Sequence, residues 1–404
     1  MLRLVSLTAQ AALLGLAGYN AVTALWGWRA RAPAPKAPEQ RRIRIVIPAH
    51  DEAAVIEGIL GDMAGADYPD KLRQVWVLAD RCTDSTVQIA RTASARVAER
   101  DDGEPGKGAA LAWFLEQHPL EPDEVLVVFD ADNRVPPQLL ARISDEIEAG
   151  HDVVQCYLDA ANPDGSLLAE ASALSYWAGN RMVQLARSNL GWSADLSGTG
   201  MAFTAEALER VGGFGTSFTE DQELGARLVL AGLRVEWLHD VRIRDEKPES
   251  IGVAVRQRAR WMAGRREAAR HHFGSLLKKG TPEAWDQALR LVQPGRSFVA
   301  LVSASMTILS AVTGSRWLLP AELWGVATAV QVLEPIPFLA REGVEPRRLL
   351  RYPVLAVLAA LWIPIRIVSG RVKGWYHTPH SGDDGSGRSP EADPTPSPPR
   401  MPGA

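Results

Sequence analysis

Hydrophobic residues follow two different patterns along the chain. Near the start, residues 4–28 contain no charged side chain, and about 20 apolar residues suffice for a membrane-spanning helix. A cleaved signal peptide has a shorter apolar region of about 7–15 residues, so we predict an uncleaved membrane anchor over residues 1–28. The basic stretch RARAPAPK follows it. Because Lys and Arg accumulate on the inner side of membranes, this stretch predicts that the next domain is cytoplasmic.

The second pattern occupies residues 41–250, where short runs rich in β-branched residues alternate with helical periodicity. The predicted strands are Arg42–Ala49, Gln74–Asp80, Glu124–Asp132 and His151–Leu158. The first three each lead into a helical stretch, such as EAAVIEGILGDM. This alternation is typical of an α/β fold with a mainly parallel sheet, in which ligands bind at the carboxyl ends of the strands.

The C-terminal third combines apolar segments with a polar tail. Within residues 297–370 the apolar segments are 298–315, 317–340 and 352–368. Arg366 interrupts the last of them and basic residues flank it, so three topologies stay open: it spans, re-enters or lies along the membrane surface. The tail at 377–404 is rich in Pro, Ser, Gly and Asp, which predicts disorder.

Residues 251–296 connect the two regions, and we predict interfacial amphipathic helices that dock the α/β domain on the bilayer. In PEAWDQALRLV, helical spacing places four residues on one face: Trp285, Ala288, Leu289 and Val292. A helix that turns this face towards the protein core is the alternative.

Composition narrows the class of protein. The 404-residue chain has a formal net charge of −4, so it lacks the positive field of a general nucleic-acid-binding protein. Its two cysteines, Cys82 and Cys156, have no metal-type spacing and cannot form a disulfide framework, which suits a reducing compartment.

Carboxylates and a lysine supply the first candidate chemistry. In FDADN, at the end of a predicted strand, Asp130 and Asp132 offer oxygen ligands that can bridge Mg²⁺ or Mn²⁺ to substrate phosphates. A solvated turn is the alternative. In GEPGKGAAL, Lys107 stands in a glycine-rich setting that permits close approach to a ligand's phosphate or base.

Two further motifs lie later in the chain. In FTEDQELG, Asp221 is a candidate general base next to Glu220, although acidic residues at a helix start are also favoured by the helix dipole. In QRARW, Arg260 is a candidate phosphate clamp beside Gln257 and Trp261, whose ring can stack on a sugar. The alternative for this basic stretch is the positive flank of a membrane segment.

In order along the chain, IPAHDE, LADRCTDST, GKGAAL, DADN, GTGM, TEDQE and QRARW resemble the family 2 glycosyltransferases. The resemblance is to the membrane-embedded branch that contains cellulose, chitin and hyaluronan synthases, and it covers residues 43–270. It implies a GT-A fold, a nucleotide-diphosphate sugar donor and inversion at the anomeric carbon.

The resemblance also implies roles for individual residues. Asp51 and Asp80 would contact the nucleoside, and Lys107 the nucleotide side. Asp130 and Asp132 would hold the nucleotide and the metal. The catalytic set that it implies consists of Asp221 as the base, Glu220 next to it, and Gln257, Arg260 and Trp261 around the pyrophosphate and the acceptor end.

Three positions depart from the family pattern. His50 stands where Asn or a neighbouring polar residue is commoner. LADRCTDST replaces the commoner DDxSxD, which leaves the role of Asp84 open. Near the end, GWYHTPH resembles the W…TPR element of the family with His380 in place of Arg.

These observations predict a multi-pass cell-membrane enzyme that uses Mg²⁺ or Mn²⁺ and whose catalytic domain is cytoplasmic. It would transfer sugar from a nucleotide-diphosphate donor to a glycan or lipid acceptor at the membrane, either repeatedly or once to form a glycolipid. An inactive nucleotide-binding membrane scaffold and a nucleotidyltransferase are the alternatives from other classes.

Overall fold

The structure, a computed structural model, describes residues 1–217 and 219–355. Within these residues seven strands form one sheet in the order β3-β2-β1-β4-β6-β5-β7. The strands are β1 (Arg42–Ala49), β2 (Arg73–Asp80), β3 (Arg96–Arg100), β4 (Glu124–Val128), β5 (Val153–Ala160), β6 (Met201–Thr204) and β7 (Val235–Asp245). The four predicted strands are confirmed within a few residues at their ends.

Most of the sheet is parallel, as predicted. β1 pairs in parallel with β2 and β4, β2 pairs with β3, and β5 pairs with β7. The short strand β6 runs antiparallel to both β4 and β5. The sequence did not predict β3, β6 or β7, because β3 and β6 are short and β7 carries charged residues along its length.

Helices flank the sheet and continue beyond it. Those of the first half are α1 (Leu2–Ala24), α2 (Ile56–Ala64), α3 (Thr86–Thr92), α4 (Lys107–Gln117), α5 (Leu139–Glu148), α6 (Leu167–Gly179) and α7 (Ala186–Leu190). Those of the second half are α8 (Ala205–Val211), α9 (Glu220–Ala231), α10 (Ile251–Lys279), α11 (Pro282–Val292), α12 (Arg296–Thr313), α13 (Ala321–Leu333), α14 (Pro335–Arg341) and α15 (Pro346–Leu355). A π-helical segment, Asn180–Leu185, joins α6 to α7.

The two faces of the sheet bury separate apolar cores. In β1, Ile43, Ile45 and Ile47 point to one face, where they pack with residues of α2 and α5. Val46 of the same strand points to the other face and packs with Phe114 of α4 and residues of α8 and α9. Side chains alternate along a strand, so burial of both faces explains why Ile45, Val46 and Ile47 are consecutive apolar residues in β1.

Three helices of the described part are long and apolar enough to cross a membrane: Leu2–Trp28, Arg296–Thr313 and Ala321–Arg341. The last of these consists of α13 and α14, which meet at Glu334 and Pro335. Most of the apolar segment 352–368, the GWYHTPH motif and the tail 377–404 lie outside the described residues.

Helix α11 exposes only part of the face that the sequence predicts. Trp285 and Val292 are about half exposed, whereas Ala288 is fully buried against α9 and α10. Ala284 and Leu291 complete the buried side. The helix therefore combines an outward apolar edge with a core-facing side. The interfacial location of residues 251–296 stays a prediction.

Candidate functional site

A cleft of about 920 Å³ lies at the carboxyl ends of the parallel strands. Nine of the ten residues predicted for the site line it: Asp80, Lys107, Asp130, Asp132, Glu220, Asp221, Gln257, Arg260 and Trp261. The tenth, Asp51, is not among the lining residues. Groups that are far apart in the sequence thus share one cavity, where open α/β sheets bind their ligands.

Buried polar groups hold the Asp130–Asp132 loop in place at the end of β4. The backbone N–H of Asp130 donates to Thr199 Oγ1 at 2.9 Å, and the Asn133 side chain donates to Asp132 Oδ1 at 3.1 Å. Asn133 is fully buried, and the Thr199 hydroxyl also donates to its Oδ1. The sequence analysis missed both Asn133 and Thr199, although Asn133 adjoins the motif.

Lys107 enters the cleft from the first residue of α4. Gly106 precedes it with a φ of 122°, a backbone conformation that favours glycine. The Lys107 ammonium forms an ion pair with Asp130 and donates to the Gly198 carbonyl at 2.7 Å. Burial alone would lower the Lys107 pKa, but Asp130 and Glu220 raise it above its usual value. Lys107 therefore remains a cation within reach of an incoming anion.

Asp80 is held at the end of β2 by two arginines. Arg100 Nη1 donates to Asp80 Oδ1 at 2.9 Å, and Arg81 Nη1 donates to the same oxygen at 3.2 Å. Arg100 is almost completely buried. The Asp80 carboxylate therefore faces the cleft in a fixed orientation, which suits a hydrogen-bond acceptor for a polar ligand.

Asp51 has a different local role. Its carboxylate accepts hydrogen bonds from the backbone N–H of Thr83 at 2.5 Å and of Asp84 at 3.2 Å. Asp84 in turn accepts from the backbone N–H of Ala53 at 3.0 Å. The two carboxylates therefore fasten the loop after β1 to the loop after β2. A nucleoside contact by Asp51 stays a prediction that this geometry does not support.

Cys82 lies between these carboxylates, and its Sγ is within 4.8 Å of ligand oxygens of Asp51 and Asp84. Burial raises the Cys82 pKa to about 11. A thiol binds metal as the thiolate, so the raised pKa opposes metal binding by this group.

Helix α9 begins with the acidic pair of the TED motif. The pKa of Glu220 is raised to about 7, because burial and the neighbouring Asp221 raise it more than Lys107 lowers it. Burial also raises the pKa of Asp221, against the opposing effects of Lys107 and Arg260. The Asp221 carboxylate accepts from the Gln222 backbone N–H at 2.8 Å. Raised carboxyl pKa values in a cleft are typical of groups that exchange protons.

Helix α10 forms the opposite wall with the QRARW motif. Gln257, Arg260 and Trp261 are spaced i, i+3 and i+4, so they share one helical face, and all three are half-buried. Arg260 is close enough to lower the pKa of Asp221. The guanidinium is therefore a cation near the candidate base.

The sequence analysis missed another charged group of the cleft, at the end of β7. Lys247 is only 4% exposed, forms an ion pair with Asp245, and lies 3.5 Å from the centre of the Tyr176 ring. Asp132 also helps to raise the Lys247 pKa, although burial acts in the opposite direction. Recognition of β7 would have placed Asp245 at a strand end and pointed to this pair.

The Asp130–Asp132 loop fits a divalent cation. Both side chains line the cleft, and the Asp130 side chain is 43% exposed. Mg²⁺ prefers oxygen ligands and is usually bound by one or two carboxylates together with substrate phosphates. The donor set therefore matches an ion that arrives with a phosphate ligand.

This fold and cleft are those of a GT-A glycosyltransferase, an enzyme that takes its sugar from a nucleotide donor. The chain belongs to the family described as "Glycosyltransferase like family 2", whose model matches residues 39–264. The predicted family and enzyme class are thereby confirmed.

Curated relatives extend the similarity beyond the catalytic domain. A beta-monoglucosyldiacylglycerol synthase of Nostoc sp. is 25% identical over 334 residues, which cover 79% of this chain and 69% of that protein. A probable glucomannan 4-beta-mannosyltransferase 3 of Arabidopsis thaliana is 24% identical over 255 residues, or 60% of this chain and 46% of that protein.

A solved structure shows the same fold. The mannosyltransferase from Pyrobaculum calidifontis, determined in complex with GDP-Man and Mn²⁺, superposes with a TM-score of 0.62. The match covers 91% of this chain and 99% of that one, at 21% sequence identity. The shared architecture therefore includes helices outside the sheet domain.

Proposed function

We propose that this enzyme transfers a single hexose from a nucleotide-diphosphate sugar to a lipid hydroxyl at the cytoplasmic face of the membrane. The observation that carries the proposal is the common cleft of Asp132, Asp221 and Arg260. These residues supply a metal ligand, a base and a phosphate-binding cation in one cavity. The enzyme class alone requires a donor and an acceptor, whereas the lipid acceptor and the single transfer are proposed.

Asp221 is the proposed general base. Its carboxylate lies at the start of α9, and its oxygen Oδ2 would lie 3.9 Å from a β-carbon placed on Gly198. The acceptor hydroxyl would give its proton to this carboxylate as its oxygen attacks the anomeric carbon. One base on the face opposite the leaving group produces a single displacement, and therefore inversion.

The cations of the cleft receive the leaving diphosphate. Lys107 contacts Asp130 on the donor side, and Arg260 extends from the α10 wall. Positive groups fixed near the leaving oxygens stabilise the negative charge that develops in the transition state. A divalent ion held by Asp130 and Asp132 would add Lewis-acid stabilisation of the same charge.

Two observations favour a lipid acceptor. The described residues contain three candidate membrane helices, and two monoglucosyldiacylglycerol synthase relatives align along 79% of the chain. The apolar edge of α11 at Trp285 and Val292 supports docking on lipid, because tryptophan is favoured at membrane interfaces. The basic residues after the first helix support a cytoplasmic catalytic domain.

Extension of a polysaccharide is the second candidate. It is favoured by the glucomannan mannosyltransferase relatives, which align over 60% of the chain. The two functions differ in product size, because single transfer stops after one sugar.

The test uses the full-length protein in native membranes or detergent. It is incubated with a panel of labelled nucleotide sugars, Mg²⁺ or Mn²⁺, and diacylglycerol as the acceptor probe. We expect one donor to give an extractable lipid that carries one hexose. A labelled polymer would contradict single transfer, and absence of transfer from every donor to lipid or glycan would contradict the proposed function.

A further inference from the structure

Helix α10 passes unusually close to the start of α9. Gly264 is buried on the side of α10 that faces Thr219. A β-carbon built on Gly264 would lie 2.5 Å from Thr219 Cγ2 and 2.7 Å from Thr219 Cβ, and closer still to the hydroxyl oxygen. These separations are far below van der Waals contact, so any larger residue at position 264 would push the two elements apart.

Helix stability does not explain a glycine at this position. Gly264 lies in the interior of a helix of 29 residues, where glycine is the least favourable residue except proline. Gly274 lies on the same helix and provides a comparison, because it is exposed and a β-carbon there would meet no atom within 4 Å. Of these two glycines, only Gly264 is required by close packing against a neighbouring element.

The contact joins the two walls of the cleft. Thr219 directly precedes Glu220 and Asp221, whereas Arg260 lies one helical turn before Gly264 on α10. Residues four apart lie on the same side of a helix. The separation between the α9 start and α10 at Gly264 therefore determines how far the Asp221 carboxylate lies from the Arg260 guanidinium.

The other end of α9 is also fixed to α10. The Lys279 ammonium donates to the carbonyls of Val229 and Leu230 at 2.7 and 2.9 Å. With one contact at each end, α9 and α10 form a single unit. A change at the Gly264 end is therefore not relieved by sliding of the whole helix.

We propose that Gly264 is a positioning residue that sets the distance between the candidate base and the phosphate-binding arginine. The inference rests on the proposed roles of Asp221 and Arg260. Gly264 touches no substrate in this account. It acts by allowing Thr219, and with it the acidic pair, to pack directly on the α10 backbone.

The test compares Gly264→Ala with Gly274→Ala in the full-length enzyme. Displacement of a reacting group by about 1 Å can reduce a rate by roughly 100-fold, so we expect kcat of Gly264→Ala to fall at least ~10-fold. The donor KM should change much less, because the sheet side of the cleft is untouched. Gly274→Ala should retain the wild-type kcat, and both variants should keep a cooperative thermal unfolding transition.

A second substitution tests the contact itself. Thr219→Gly removes the hydroxyl, the methyl group and the β-carbon that would clash with a β-carbon at position 264, and that hydroxyl has no hydrogen-bond partner among the described residues. The double variant Thr219→Gly/Gly264→Ala should therefore recover at least about half of the kcat of Thr219→Gly alone, because relief of overpacking restores the geometry.

Three outcomes would overturn the inference. They are a Gly264→Ala kcat within twofold of Gly274→Ala, a loss that the double variant does not recover, and global unfolding of Gly264→Ala. Unfolding would show that the contact serves the fold instead of the cleft. Failure of the proposed function is distinguishable, because the wild-type enzyme and Gly274→Ala would then both lack transfer activity.

Discussion

Replacement of Asp221, the candidate base, tests its role in proton transfer while it changes little else in the cleft. Asp221→Asn keeps the size and shape of the side chain, and the amide oxygen can still accept the 2.8 Å hydrogen bond from the Gln222 backbone. The substitution removes the negative charge and the ability to take a proton. It leaves Asp80, Lys107 and the Asp130–Asp132 loop unchanged on the sheet side of the cleft.

The expected magnitude follows from the role of a general base. Such a group contributes about 10²–10⁴-fold to the rate, or about 3–5 kcal/mol of activation free energy at 1.36 kcal/mol per factor of ten. Donor binding should change little, because Lys107 contacts Asp130 and the Gly198 carbonyl directly. Loss of the Asp221 charge should also lower the pKa of Glu220, which that charge helps to raise.

The assay measures initial rates of hexose transfer by the full-length protein at saturating and limiting donor concentrations. We expect kcat of Asp221→Asn to fall by the factor above, while the donor KM stays within about threefold, since only a transition-state interaction is lost. Glu209→Gln, at an exposed position on α8, is the matched control and should behave as wild type. Normal turnover by Asp221→Asn would refute the base assignment.

Three more predictions concern the metal, the acidic pair and the buried ion pairs. Asp132→Ala should weaken the metal dependence of nucleotide-diphosphate binding, measured by titration with Mn²⁺; an unchanged titration curve would argue against this ligand. The neutral Glu220 carboxyl should stabilise the fold below about pH 4.5, and this stability should be lost as the pH rises through about 7, because burial raises its pKa. The wild type should therefore lose thermal stability relative to Glu220→Gln over that range, and parallel curves would contradict the burial argument. Asp286→Ala leaves two buried arginines without their shared carboxylate, which should cost about 3–5 kcal/mol of unfolding free energy. Asp70→Ala, at an exposed ion pair, should cost less than about 1 kcal/mol, and equal losses would refute the distinction.

The sequence predicted those strands that are rich in β-branched residues. Arg42–Ala49 was predicted at its observed bounds, because Ile43, Ile45, Val46 and Ile47 are β-branched. In contrast, Glu236 is a charged residue within β7, and a charged residue is not expected in a buried strand. The structure shows Glu236 only 1% exposed and paired with Arg31 at 3.0 Å, a residue about 200 positions away. A partner so distant along the chain cannot be read from local periodicity.

In the candidate site too, the sequence predicted some features and missed those that depend on distant residues. The motifs correctly predicted nine residues that line the cleft, because strand ends and helix starts meet at one edge of the sheet. Motif order did not show that the Asp51 carboxylate is used to fasten a neighbouring loop. It also missed Lys247, whose importance depends on burial against Asp245 and Tyr176. Such roles depend on side-chain orientation, which spacing along the sequence does not specify.

The anomeric configuration of the product tests the central claim most directly, namely that one base and one leaving diphosphate face each other across a single cleft. The transferred sugar is isolated after reaction with an α-linked nucleotide hexose, and its configuration is determined from the anomeric proton coupling in an NMR spectrum. Single displacement assisted by Asp221 predicts a β-linked product. An α-linked product would require a different arrangement of reacting groups and would contradict the account.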